Sequence, residues 1–282
     1  MNVKQKKAIN KILRHIFCMI LAVIMLYPLI WLFGSSFKAG NQIFTTAERL
    51  FPKTWIFSNY PEGWAGFSGI SFAIFFKNTA WVTIMATIGA VFSSSVIGYG
   101  FARIKFIGSK FWFACMLSTL MLPFQVIMIP QFLIFDQLGW IGTYLPLIVP
   151  YYFGQAFFIF LNVQFMKGIP KDLDESAKID GCSRYTIYTH IILPLTTSPL
   201  VVTCIFSFLW RWEDFLQPLI YLSSPSTYVI SMALRNFADP SSMSNWGGMF
   251  AMSVLSLLPI IIVYIAFQKY LVEGIATTGL KG

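Results

Sequence analysis

The chain has 282 residues, 57% hydrophobic, 18% aromatic and only 11% charged. Soluble domains carry about 25% charged residues, so the composition argues against a water-soluble domain and for a bilayer as solvent. The net charge of +9 does not mark a nucleic-acid binder, because no basic helix or aromatic-basic module accompanies it.

The predicted elements begin with a basic stretch, residues 1–15, holding Lys4, Lys6, Lys7, Lys11 and Arg14. An apolar run from Ile16 to Phe33 follows. It is longer than the roughly 7–15-residue core of a signal peptide and lacks a small-residue cleavage site, so it reads as a retained first span. Residues 35–77 form a polar-aromatic loop, with prolines and glycines that oppose a long helix. A second span runs from about Asn78 to Phe101. Ala86, Ala90, Ser94, Gly98 and Ala102 recur there at every fourth position, a stripe that lets helices approach closely in lipid.

A short basic loop, Arg103 to Lys110, leads to a third span, about Phe111 to Phe135, interrupted by Pro123 and Pro130. The fourth span is about Leu145 to Met166. Gln125, Gln155 and Asn162 lie in these two spans, where amides facing lipid are costly. They line a pathway or join helices. The polar segment Lys171 to Pro199 comes next, then a fifth span, about Leu200 to Leu222. Arg211, Glu213 and Asp214 fall inside it beside Trp212. Charge within a span marks function by default, or else an internal ion pair. Residues 223–247 read as a polar loop including Pro240, and the sixth span as about Gly248 to Phe267.

Six spans place both termini on one side. Fourteen of the 20 Lys and Arg residues fall on that side, which predicts cytoplasmic termini and a cytoplasmic 171–199 loop. The predicted organisation is an N-terminal segment 1–15, a six-helix transmembrane domain 16–272 containing that loop, and a tail 273–282. Cys18, Cys115, Cys182 and Cys204 lack metal or redox spacing. His15 and His190 share no neighbourhood in sequence, and no phosphate-binding P-loop, triad or internal repeat is present.

The polar loop reads as two short helices. Asp172 is a candidate N-cap with Glu175 three residues on. Gly181 suits the left-handed turn that ends a helix, Ser183 starts a second one, and Pro194 follows. Ser176 and Ala177 are small enough for close approach. Leu173, Ala177, Tyr185, Ile187 and Tyr188 supply apolar surface.

Glu175-Ser176-Ala177, then Gly181, Ile191, Leu193 and Pro194, resembles the EAA loop of ABC importer permeases. Ser176 stands where that pattern usually has alanine. Phe101-Ala102-Arg103, Met121-Leu122-Pro123, Trp212-Glu213-Asp214-Phe215 and the ending Gly279-Leu280-Lys281-Gly282 extend the likeness to carbohydrate permeases of the maltose-transporter type, shorter subunit. Glu213 replaces the usual Asn.

The resemblance implies an all-α polytopic protein of the type I importer permease fold in a bacterial cytoplasmic membrane. It implies a homologous second permease, two cytoplasmic ATP-binding subunits that carry ATP and Mg, and an extracytoplasmic solute-binding protein that delivers sugar. The chain itself is then neither a catalyst nor a cofactor protein. Asp172, Glu175, Ser176, Ala177, Asp180, Gly181, Ile191, Leu193 and Pro194 become its coupling residues. Gln125, Gln155, Asn162, Arg211, Trp212, Glu213 and Asp214 become candidates for the substrate pathway. The competing readings are an ion-coupled secondary transporter built on Arg211, Glu213 and Asp214, and a membrane scaffold.

Overall fold

The computed structural model describes residues 3–238 and 245–279, with side chains for residue 7, 9–238 and 245–270. Pro240 and the Leu280–Gly282 ending lie outside the described residues. Those residues form helices and no strand. They are α1 (Val3–Ser35), α2 (Asn59–Ala65), α3 (Phe72–Arg103), α4 (Ser109–Thr119), α5 (Phe124–Gln137), α6 (Leu145–Ile148) and α7 (Ala156–Gly168). There follow α8 (Asp172–Ile179), α9 (Arg184–Ile187), α10 (Leu193–Leu195), α11 (Thr197–Trp212), α12 (Leu216–Tyr221), α13 (Ile230–Phe237) and α14 (Trp246–Gly279).

Among the described residues, four segments are long and apolar enough to cross a membrane: Ile9–Ser35, Phe72–Arg103, Leu145–Gly168 and Trp246–Tyr270. Two pairs meet that test only together. α4 and α5 bend by 101°, and Arg184–Leu195 bends by 74° against α11. The third predicted span is therefore broken. Pro123 disfavours helical geometry at Leu122 and is itself extended, with ψ 141°, just before α5. The fifth predicted span also ends early, at Trp212. Asp214 Oδ1 accepts the Gln217 amide at 3.3 Å, a local bond that competes with continued helix and starts α12. The predicted loop 223–247 contains the helix α13.

The chain divides into two compact units. The first comprises residues 1–72 and 233–257. Its α1 exposes nearly every large side chain, Met25 at 74% among them, a surface suited to lipid or another chain. Phe37 gathers the rings of Phe33, Trp55, Phe57 and Tyr60 at centroid distances of 5.1–5.4 Å. The aromatic loop thus packs on itself. Lys38 is 1% exposed. Its ammonium donates to the carbonyls of Thr46 and Arg49 at 3.1 and 2.7 Å. Burial pushes its pKa below the ordinary lysine value, with Glu48 opposing.

The second unit comprises residues 73–232 and 258–282. The small-residue stripe of α3 is its packing face. Ala86, Ala90 and Ser94 are fully buried, the alanines against Tyr151 and Phe158. A Cβ on Gly98 would stand 3.0 Å from Asn162 Cβ, so the backbones meet closely there. Between α6 and α7 the backbone turns through Val149–Phe153 and Gly154, at φ +105°. Ser93 Oγ donates to the Tyr151 carbonyl at 2.8 Å. That bond satisfies one of the acceptors this irregular turn leaves unpaired, as buried backbone at membrane depth requires.

Candidate functional site

The polar loop follows α7 directly. Acidic residues Asp172, Asp174 and Glu175 occupy the first turn of α8, where they complement the helix dipole. The expected capping box does not form. α8 already includes Asp172, and the Lys171 carbonyl takes the amides of Asp174 and Glu175 at 2.9 and 3.1 Å. The far end is as the sequence predicts. Gly181 has φ +80°, its amide bonds the Lys178 carbonyl, and the Cys182 amide bonds the Ala177 carbonyl. This bond pair closes a Schellman turn. Ser183 Oγ then accepts the Thr186 amide at 3.1 Å and caps α9. A π-helical turn, Tyr188–Ile192, leads to α10 and Pro194.

The inner side of this loop is anchored. Ala177, Ile187 and Ile192 pack with Tyr99 and Met166. Arg103, its side chain 2% exposed, reaches the same place. Its Nη2 donates to the carbonyls of Met166 and Ile169 at 2.6 and 2.8 Å, and its Nη1 lies 3.5 Å from Asp174 Oδ2. Tyr99 donates to the Arg184 carbonyl at 3.1 Å, and Tyr188 shares a 2.8 Å hydrogen bond with Ser95.

Asp172, Glu175, Ser176, Asp180, Gly181 and Pro194 are exposed on the outer side, while Ile191 and Leu193 are half-buried. Ala177 and Ile187 are not docking surface. Both are buried, because Asp174 and Ala177 share the helix face that meets Arg103 and the apolar base. Leu173 and Tyr185 are exposed apolar surface as the sequence predicts, and Ile179 adds to them. The spacing of Asp174 and Ala177 was the available signal for that inward face.

A second constellation lies in the same unit. A cavity of about 300 Å³ is lined by Gln131, Tyr151, Gln155, Arg211, Gln217 and Tyr221 with apolar neighbours. Arg211 Nη1 donates to Asp214 Oδ2 at 2.8 Å and to Gln217 Oε1 at 3.0 Å. The guanidinium lies 4.8 Å from the Tyr151 ring centroid, within cation–π range. Tyr221 is 1% exposed and its hydroxyl has no partner among the described residues.

Of the predicted pathway residues, Gln155 and Arg211 line this cavity, and Asp214 holds Arg211. The other four do not line it. Gln125 and Glu213 are exposed elsewhere. Trp212 is buried and stacks on Phe208 at 5.4 Å. Asn162 is fully buried and joins helices, its Nδ2 donating to Phe158 O at 2.9 Å, Thr203 Oγ1 at 3.2 Å and Ser94 Oγ at 3.4 Å. Gln217, Tyr151 and Tyr221 are additions. Each is a polar side chain in an apolar run, and only the packing shows that they converge.

Comparison with known proteins places this architecture. The chain is 33% identical over 268 residues to the probable ABC transporter permease protein YurM of Bacillus subtilis, covering 95% of this chain and 87% of that one. It is 31% identical over 264 residues to the arabinooligosaccharides permease protein AraQ of Halalkalibacterium halodurans, covering 93% of each. A crystal structure of a bacterial ABC transporter for import of the polysaccharide alginate has a chain of the same fold, at TM-score 0.80 and 22% identity, covering 94% of this chain and 97% of that one. The family of binding-protein-dependent transport system inner membrane components matches residues 94–277. That match takes in the α8–α10 loop, the polar cavity and the stripe from Ser94 onward, and the chain belongs to this family as a membrane permease of an ABC importer.

Proposed function

We propose that this chain forms half of the translocation pathway of a carbohydrate importer and couples that pathway to ATP hydrolysis on partner subunits. In this reading each bent helix pair is one span, giving six, with both termini and the α8–α10 loop cytoplasmic. A homologous permease supplies the other half. Two ATP-binding subunits, which carry ATP and Mg, dock on the coupling loops, and an extracytoplasmic binding protein delivers the substrate. The observation that carries the reading is the two-sided build of the loop. An exposed acidic and apolar edge sits on a base fixed by Arg103, Asp174 and Ala177. A lever needs that combination, because force applied at the edge must reach the helices behind it.

An oligosaccharide is the proposed cargo. The relatives named for arabinooligosaccharide, galactooligosaccharide and trehalose/maltose transport support this choice. So does the cavity, where Gln131, Gln155 and Gln217 offer amides and Tyr151 and Tyr221 offer rings and hydroxyls, a suitable lining for a polar ligand with apolar faces.

Glu175→Lys tests the coupling. It reverses an exposed charge and should leave folding intact. Binding-protein stimulation of ATP hydrolysis in the reconstituted complex should fall at least several-fold. Unchanged stimulation would remove this carboxylate from the mechanism.

A further inference from the structure

Beside the coupling loop lies a cleft of about 750 Å³, of whose lining the coupling role uses Arg103, Asp174 and Glu175 but none of the four lysines. The end of α3, the 104–108 turn and the start of α4 form one wall, and α8 and α9 form the other. Arg103, Lys105, Lys110, Lys171, Lys178 and Arg184 line it, against only Asp174 and Glu175. Among the described residues, Arg103 is the one base of the six in an ion pair. It lies in the floor with its Nε buried and without a hydrogen-bond partner. The rim differs in character. Phe106, 42% exposed, lines its edge, and next to it in sequence stand Ile107, fully exposed, and Phe111 and Trp112, 64% and 58% exposed.

This combination specifies a ligand with a negative head and an apolar body. We propose that the cleft seats the phosphate headgroup of an anionic phospholipid, with its acyl chains running past Phe106 and Ile107. The proposal rests on the cytoplasmic placement of this face. Basic pockets beside spans on that side attract anionic headgroups, at about 1 kcal/mol per Lys or Arg. An acidic protein segment would match the bases but leave the apolar rim unused. A lipid in this position bridges Lys105 and Lys110 to Lys171, just before α8, and Lys178 on it, so it braces the coupling loop from behind.

The test uses the full importer complex, with its ATP-binding subunits, in vesicles of equal parts phosphatidylcholine and phosphatidylglycerol. Native mass spectrometry of the extracted complex reads which phospholipid stays bound. The unaltered complex should retain phosphatidylglycerol in preference to phosphatidylcholine. Lys105→Gln with Lys110→Gln should retain about thirty-fold less. Lys53→Gln with Lys77→Gln removes as much charge from exposed positions outside the cleft and should change nothing. The proposal falls if no preference is seen, or if both double variants lose lipid equally. It also falls if complexes lacking the ATP-binding subunits hold the lipid and complete ones do not, because a protein segment then occupies the cleft. Co-purification of the ATP-binding subunits is scored in parallel. A chain that recruits them yet retains no phosphatidylglycerol overturns the lipid site alone.

Discussion

Arg103→Ala is expected to destabilise the permease by about 3–5 kcal/mol, the usual consequence of removing one partner of a buried ion pair. The guanidinium serves three acceptors at once: Asp174 and the carbonyls of Met166 and Ile169. Without it, a carboxylate with a 10% exposed side chain keeps no counter-charge, and the end of α7 loses its tie to α8. The coupling loop should then detach from the spans behind it. Thermal unfolding in detergent should show a clearly lower midpoint, and the ATP-binding subunits should co-purify poorly. Arg103→Lys should fall between, since an ammonium keeps the charge without the planar fork that reaches several acceptors together. A midpoint unchanged in Arg103→Ala would show that the apolar base and the Tyr99 and Tyr188 hydrogen bonds hold the loop without Arg103.

Gly181→Pro is expected to abolish uptake while the chain still inserts in the membrane. Gly181 has φ +80°, whereas proline is locked near −65° and lacks an N–H. The substitution forbids the turn and deletes the bond from this amide to the Lys178 carbonyl. Gly181→Ala separates backbone from packing. A Cβ there would meet nothing within 4 Å, so the change costs only the left-handed conformation, about 1–2 kcal/mol, and uptake should be reduced rather than lost. ATP-dependent substrate uptake into vesicles containing the full complex reads both variants. Normal uptake by Gly181→Pro would show that the angle between α8 and α9 does not matter for transport.

The features legible in the sequence were those set by neighbouring residues. Gly181 and Ser183 announced their turn and cap because each acts within a few positions. The stripe from Ala86 to Gly98 announced a packing face because helical periodicity alone puts it on one side. What stayed hidden depends on distant partners. Ala177 looked like docking surface until Tyr99, Met166 and Ile187 were brought over it. Asp174 carries no signal of its own in the sequence, and only the arrival of Arg103 from the end of α3 makes it an anchor. The apolar runs located the membrane segments, and Pro123 marked the interruption of the third, though not its 101° bend; the early end of the fifth at Trp212 stayed hidden, because hydropathy carries no direction. Arg211 and Asp214 were visible as costly charges. Their place beside Gln155, Gln217 and Tyr221 follows from the packing of α5, α6, α11 and α12 around one cavity.

The central claim, that the outer edge of the α8–α10 loop receives the motor subunits, is tested most directly by proximity. Ser176 is exposed on α8 and is small enough to be replaced by a photo-crosslinking amino acid in the intact complex. Illumination should join this chain to an ATP-binding subunit, with a yield that changes on adding ATP and binding protein. Capture of lipid or of the second permease alone, with no ATP-binding subunit in any nucleotide state, would contradict the coupling role of the loop.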